Sequence, residues 1–186
     1  MFDPLVSHFT QSDWSGGIHT SPFIRLLLYS IASLQSATDI LETGYDAGLT
    51  TQALSETGAN VIGIDNCSEY GDVDRFARRR LENYPNCLLI NREILDFLTH
   101  SKLDTQFDLI YIDDNHNHNH VKSELELLKD LVKPCGIIAF HDVIMFPELL
   151  NVIDEILPTW NVIVLDAYSP QDKQNYGIAI AQRPNE

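Results

Sequence analysis

The sequence predicts an α/β protein, a doubly wound sheet of seven strands that is mostly parallel with an antiparallel last strand. Three observations lead there. Short apolar runs rich in β-branched residues alternate with segments of helical period, as expected when parallel strands are joined by helical crossovers. A turn bearing Gly44 and Gly48 follows the first run, at the edge where open α/β sheets bind ligands. A polar loop over residues 169–175 separates the last two runs; it is too short for a parallel crossover, so these strands form an antiparallel hairpin.

Each element has its own signal. Ser21 caps a first helix with Pro22 at its first position, where a missing N–H is harmless. Residues 23–34 are apolar almost all round, which predicts a largely buried helix. Strand one is 39–43, and a helix over 49–56 is stopped by Gly58 before strand two, 60–65. A helix over 72–84 carries Val73, Phe76, Ala77, Leu81 and Tyr84 on one stripe, leaving Arg78, Arg79 and Arg80 on a solvated face. Strand three is 87–90, with a short helix over 94–98. The continuous apolar run 107–112 reads as a central strand covered on both faces. Val121, Leu125, Leu128, Leu131 and Val132 form a helical stripe, and strand five follows over 136–140. A helix over 147–157 leads to strands 161–165 and 176–181.

Charge narrows the partners. The 186 residues hold 12 Lys and Arg against 27 Asp and Glu, a net charge of −15. Polyanions are bound largely through Lys and Arg that neutralise phosphates, so nucleic acid and anionic membrane surfaces are excluded as partners. The chain is 44% apolar and long enough to bury about 70% of its unfolded surface, which predicts one domain, residues 1–186. It shows no repeat, low-complexity tract or linker. Cys67, Cys87 and Cys135 are odd in number and widely spaced, which suggests neither a disulfide framework nor a zinc site, and they read as small core or loop residues. No apolar run approaches the roughly 18 residues of a membrane span. The N-terminus lacks a basic segment followed by an apolar one. A soluble protein of a reducing, cytoplasmic compartment is expected.

The chemistry gathers first at Glu42-Thr43-Gly44-Tyr45-Asp46-Ala47-Gly48, closing strand one. Glycines there let the backbone turn sharply and approach a ligand. The spacing is not Gly-x-Gly-x-x-Gly, so the turn lacks the arrangement that seats a dinucleotide pyrophosphate on a helix N-terminus. Asp65, 21 residues beyond Gly44, ends strand two, from where a carboxylate can accept hydrogen bonds from ribose hydroxyls. A nucleoside ligand is the inference; the plainer alternative is a strand-to-helix turn with Asp65 capping the next one.

On these residues the chain resembles class I S-adenosylmethionine-dependent methyltransferases over roughly residues 24–181. Their first motif is a Glu-x-Gly-x-x-x-Gly turn, with an acidic residue ending the second strand. A second block is Ile112-Asp113-Asp114-Asn115-His116, a helix, then Lys133-Pro134-Cys135-Gly136 and His141-Asp142-Val143. It is similar to the small-molecule branch that includes cephalosporin hydroxylase-like and macrocin O-methyltransferase-like proteins. That branch has an Ile-Asp-Gly-Asp-His run followed by Lys-Pro-Gly-Gly and His-Asp-Val. Asp114 here replaces the glycine, Asn115 the second aspartate and Cys135 the first glycine of the later pair.

The resemblance implies a Rossmann-like sheet, with residues 1–36 as a lid and helix segment and 37–186 as the cofactor-binding core. It implies S-adenosylmethionine as cofactor: Glu42 and Gly44 beside its methionine part, Asp65 on the ribose, Glu93 near adenine although Arg92 replaces the usual glycine, and Asp113 in contact with the cofactor. Asp113 and Asp142, at the ends of neighbouring strands, would share a divalent cation with His141 or His116 as a further ligand. Carboxylates suit Mg²⁺, whereas histidine favours Mn²⁺, Fe²⁺ or Zn²⁺. Methyl transfer to a hydroxyl of a small molecule would have Asp113 and His116 as catalytic residues, His116 as general base with an ordinary pKa near 6.5. A partner subunit in a homo-oligomer could supply a missing lid.

Plainer readings stand beside these. The His116-Asn117-His118-Asn119-His120 alternation sets imidazoles on one face of an extended segment, as for a metal, or is a polar loop in which Asn119 caps the next helix. Asp113, His141 and Asp142 equally suit hydrogen bonding to loop backbone. Trp14, Phe23 and Tyr29 line an acceptor pocket or pack as core. Two other function classes remain: a non-catalytic nucleoside-binding module, motivated by the short chain and the Arg92, Asp114 and Asn115 departures, and a nicotinamide-dependent oxidoreductase, disfavoured by the glycine spacing.

Overall fold

The Ser21 hydroxyl accepts the N–H of Ile24 at 3.3 Å and starts helix α1 (Pro22–Leu34). The computed structural model describes residues 20–68, 72–169 and 173–185. Only one stripe of α1, formed by Ile24, Arg25, Leu28 and Ala32, is buried, while Phe23, Leu26 and Leu34 are exposed. The expected large burial therefore holds for one side only, because a helix laid on a sheet face has one side to bury.

The chain then runs β1 (Asp39–Thr43), α2 (Leu49–Ser55), β2 (Asn60–Asp65), α3 (Val73–Arg80), β3 (Cys87–Asn91), α4 (Ile94–His100), β4 (Phe107–Ile112), α5 (His118–Leu128), a 3₁₀ turn (Lys129–Leu131), β5 (Val132–His141), α6 (Glu148–Ile156), β6 (Asn161–Leu165), β7 (Tyr168–Ser169), β8 (Gln174–Asn175) and β9 (Ile178–Gln182). Seven strands form one sheet in the order β3-β2-β1-β4-β5-β9-β6. The first five are parallel, and β9 is antiparallel to both β5 and β6. The doubly wound, mostly parallel sheet with an antiparallel last strand is thus as predicted.

Apolar layers cover both faces. On one, α1 and α2 set Ile24, Leu28 and Leu54 against Ile40, Val61, Leu109 and Tyr111. On the other, α4, α5 and α6 set Phe97, Leu125 and Val152 against Leu41, Ile64, Ile110 and Phe140. Strand order reverses between β1 and β4, the switch point where open α/β sheets leave a crevice.

Several boundaries differ from expectation. β5 begins at Val132 rather than 136, because the chain stays paired through a register break in which Cys135 adopts a left-handed φ of 61°. The Lys133 ammonium reaches back from it to Asp108 at 2.8 Å and Asp39 at 3.3 Å. α3 ends at Arg80, not 84, and Phe76 on its expected inner stripe is exposed. Arg80 donates to the Ala47 carbonyl at 3.1 Å, so the basic triplet is not wholly solvated. The 169–175 loop includes part of the β7–β8 ribbon. Helix α5 starts at His118, capped by Asn117, whose side chain accepts from Asn119 and His120; Asn119 is not the cap. Among the described residues no helix is long and apolar enough to cross a membrane.

Candidate functional site

The carboxyl ends of β1, β2, β4 and β5 surround a cleft of about 330 Å³, at the lower end of ligand-site volumes. Its turn after β1 is set by backbone proximity. The Gly44 N–H donates to the Ile64 carbonyl at 2.8 Å and the Asp113 N–H to the Thr43 carbonyl at 2.9 Å, pinning three strand ends together. Gly44 has φ +80°, and a Cβ there would lie 2.2 Å from the Asp113 carbonyl oxygen. Only glycine fits.

Asp65 ties two loops of the cleft wall. Its Oδ2 accepts the Asp46 N–H at 2.8 Å and its Oδ1 the Cys67 N–H at 2.7 Å. Burial pushes the Asp65 carboxyl up, against the pull of those two N–H groups. Asp46, Cys67 and Asp142, all lining the cleft, hold left-handed φ values of 42°, 52° and 61°. Such conformations cost of order 1–3 kcal/mol each and collect at ligand sites.

Glu42 lies beneath the cleft, 1% exposed and not part of its lining. Burial pushes its carboxyl up to about 8; Thr51 opposes this, and Asp113, Asp65 and Asp46 add repulsion. The native state thus holds this proton more tightly than the unfolded chain. Its stabilising contribution is complete below the ordinary glutamate range and is lost as pH rises toward 8. Glu42→Gln is therefore expected to leave stability nearly unchanged at about pH 5 and to raise it by a few kcal/mol at about pH 9. Urea midpoints of parent and variant measure this; a difference independent of pH would contradict it.

The other half of the cleft is a cluster of carboxylates and imidazoles at the ends of β4 and β5. Asp113 Oδ1 lies 2.7 Å from His141 Nδ1, while its Oδ2 accepts the hydroxyls of Tyr111 at 3.0 Å and Thr20 at 2.8 Å. His116 Nε2 is 2.9 Å from Asp142 Oδ2, and its ring stacks on Phe146 with centroids 4.6 Å apart. His141 stacks on Tyr176. Burial pulls both imidazoles down, yet the neighbouring Asp142 and Asp113 outweigh it and hold them above the ordinary histidine value. One donor atom from each of Asp113, His116, His141 and Asp142 lies within 4.8 Å of the others. Among the described residues, His141 Nε2 and Asp142 Oδ1 are buried with no hydrogen bond. Two carboxylates, two imidazoles and unused donor capacity fit a first-row divalent cation.

Of the residues singled out from sequence, Gly44, Asp65, Asp113, His116, His141 and Asp142 all line this one cleft. Glu93 does not; its carboxylate accepts the Asp96 N–H at 2.6 Å and caps α4. Phe23 and Tyr29 do not line it either, and Trp14 lies outside the described residues. His118 and His120 are in the first turn of a helix, so they diverge and the extended His-x-His pairing fails. Sequence reasoning missed Thr20, Tyr111, Phe146 and Tyr176. Tyr111 had a signal, since a residue two before Asp113 on a strand shares its face; the others come from distant segments. Five aspartates and, among the described residues, no Lys or Arg line the cleft.

A family model described as a methyltransferase domain matches residues 41–143, more than half of the chain. No curated protein matches the sequence. Solved structures share the fold. The O-methyltransferase from Bacillus cereus in complex with SAH is 18% identical, with a TM-score of 0.78 over 98% of this chain and 92% of that one. The O-methyltransferase TomG from Streptomyces achromogenes, in complex with SAM, is 15% identical, with a TM-score of 0.73 over 99% and 91%. The N-methyltransferase NodS from Bradyrhizobium japonicum WM9, in complex with S-adenosyl-L-homocysteine, is 16% identical, with a TM-score of 0.70 over 97% and 96%.

Proposed function

This chain belongs to the methyltransferase-domain family, and on that premise we propose that it uses S-adenosylmethionine to methylate a hydroxyl of a small molecule, with a divalent cation at the site. One observation carries the reading: a single cleft holds both the Gly44–Asp65 wall and the Asp113–His116–His141–Asp142 cluster. In this reading residues 37–186 are the cofactor-binding core, the lid proposed for residues 1–36 falls largely on residues 1–19, which lie outside the described residues, a second subunit supplies cover, and the compartment is the cytoplasm.

When bound, the sulfonium cofactor supplies an electrophilic methyl carbon for in-line displacement. Asp65 takes the ribose hydroxyls on the lone pairs left free by Asp46 and Cys67, and the bare backbone of Gly44 admits the methionine part, with Glu42 beneath it. Glu93 lies at the start of α4, and a contact with adenine would have it share its capping carboxylate. The acidic lining favours a cationic ligand and disfavours anionic acceptors.

Asp113, His141 and Asp142 hold the cation, with Tyr111 and Thr20 fixing the Asp113 carboxylate. When bound, a divalent cation supplies Lewis acidity that makes a hydroxyl easier to ionise. His116, held by Asp142 and Phe146 at the cleft wall, takes the acceptor proton. Positioning then carries much of the rate. The likeness to NodS, an N-methyltransferase, means that the fold alone does not select oxygen; the acid-imidazole cluster favours it.

Calorimetry with S-adenosylhomocysteine and with NAD tests the cofactor: binding of the first and not the second is expected, and the reverse overturns the assignment. Mn²⁺ uptake followed by electron paramagnetic resonance tests the cation. Asp113→Asn and Asp142→Asn are each expected to weaken uptake at the cleft by about 100-fold or more, beyond the 10- to 100-fold of outer groups. Unchanged uptake in both removes the cation from the reading.

A further inference from the structure

A second group of metal-ligating side chains adjoins the cleft, sharing Asp114 with its wall while His120 and Glu124 are not among its lining residues. Asp113 and Asp114 are consecutive, and they serve different clusters, as do His116 and His120 beyond them. Asp113 and His116 belong to the cleft cluster, whereas Asp114 and His120 meet Glu124, one turn along α5 from His120. His120 Nε2 is 3.2 Å from Asp114 Oδ2 and 4.0 Å from Glu124 Oε2. One donor atom from each of the three lies within 4.8 Å of the others.

Glu124 makes this more than a surface ion pair. It is 0% exposed, and neither carboxylate oxygen makes a well-formed hydrogen bond among the described residues, with the Thr43 hydroxyl favouring its charged form. Buried polar groups are ordinarily satisfied, and a carboxylate stripped of water without donors is strongly unfavourable. His120 Nε2 is likewise buried, with Asp114 as its close partner. Burial pushes Glu124 up to about 7, with Thr43 opposing, the Asp114 charge adding to the rise and His120 pulling the other way.

We propose that Asp114, His120 and Glu124 form a second cation site, separate from the Asp113–His116–His141–Asp142 cluster and behind the Asp114 wall of the cleft, for a first-row divalent ion of the Zn²⁺ type. One imidazole with two carboxylates suits such an ion better than Mg²⁺ or Ca²⁺, which prefer oxygen alone. Bonds of roughly 2 Å in tetrahedral geometry place ligand atoms about 3.3 Å apart. The Asp114–His120 separation already matches, and the His120–Glu124 separation closes by about 0.7 Å. The ion would clasp the first turns of α5 to the residue after Asp113 and so fix the short loop that carries both Asp113 and His116. Asp114 and Asn115, departures from the branch pattern, then belong to a loop held by a metal. This proposal does not depend on the methyltransferase reading.

The test uses the full chain stripped of metal with a chelator and titrated with Zn²⁺ by calorimetry. Asp142→Asn serves as the background that silences the cleft cluster. That protein is expected to bind one Zn²⁺ at this site and to gain thermal stability from it. Adding His120→Asn or Glu124→Gln is expected to weaken binding by about 100-fold or more, above what outer groups cost, and to abolish the thermal gain. The folded state of each variant is checked by circular dichroism; if Glu124→Gln does not fold, His120→Asn, on a partly exposed side chain, carries the test. Absence of uptake by Asp142→Asn, or uptake that both added substitutions leave unchanged, overturns the proposal. Failure of the cleft cation reads differently, as equal uptake by wild type and Asp142→Asn.

Discussion

Gly44→Ala is expected to abolish cofactor binding and to destabilise the fold by about 2–5 kcal/mol, the roughly 1–3 kcal/mol of overpacking that forces backbone shifts together with the cost of a left-handed backbone. A Cβ at residue 44 would lie 2.2 Å from the Asp113 carbonyl oxygen, 2.5 Å from its carbon and 2.8 Å from the Asp114 Cα. All three are backbone atoms, so no side chain can swing aside. Asp113 cannot easily retreat, because its N–H is bonded to Thr43 and its carboxylate is held by Thr20, Tyr111 and His141. The left-handed φ adds roughly 1–2 kcal/mol for any residue with a Cβ. Gly58→Ala is the control: its φ is +86° but nothing among the described residues lies within 4 Å of the added carbon, so only that conformational cost of roughly 1–2 kcal/mol is expected. Denaturant midpoints and S-adenosylhomocysteine calorimetry on both variants separate the clash from the backbone term. Equal effects at the two positions would refute the close-approach account.

Asp65→Ala is expected to weaken cofactor affinity about 100-fold, or roughly 3 kcal/mol, from the loss of charge-assisted hydrogen bonds to the ribose and of the loop geometry that presents them. Both its oxygens hold backbone N–H groups, those of Asp46 and Cys67, whose strained conformations depend on that support. The stability loss is expected to be smaller, about 1 kcal/mol, because the substitution also removes a buried carboxylate repelled by Asp114 and Asp46. Asp65→Asn keeps one acceptor oxygen and should fall between parent and alanine in affinity. An alanine variant that binds S-adenosylhomocysteine as tightly as the parent would rule out Asp65 as the ribose anchor.

The inner strands 39–43, 60–65 and 107–112 were readable because burial on both faces leaves an apolar signature, and the edge strand 161–165 because of its Val-Ile-Val run; all four match the structure residue for residue. The antiparallel closure followed from loop length alone. The start of β5 was not readable, since Pro134 and a left-handed Cys135 look like the end of pairing rather than a bulge within it. The histidine run misled for a related reason: moving the cap from Asn119 to Asn117 turns an extended segment into a helix and sends His116 and His120 to different clusters. Within the site, residues at strand ends were legible because the switch point fixes where they emerge. Glu42 and Glu93 were not, because composition cannot tell a carboxylate lining a cavity from one buried under it or one committed to a helix cap. Thr20 and Tyr176 reach Asp113 and His141 from far along the chain, and local pattern carries no trace of such contacts.

The insertion of β9 between β5 and β6 also orders events in time. Among the described residues β6 has no sheet partner other than β9, and β5 has only β4 until β9 arrives. Until β9 inserts, residues 161–165 are therefore an apolar strand with both edges open, and Ile163 and Val164 stay exposed even in the finished sheet. The four strands β3, β2, β1 and β4 can assemble on the ribosome, while the β6 side of the sheet waits for residues 178–182. A folding intermediate in which β9 has not yet inserted therefore displays an unpaired template for aggregation, which makes that step the chain's most vulnerable stage.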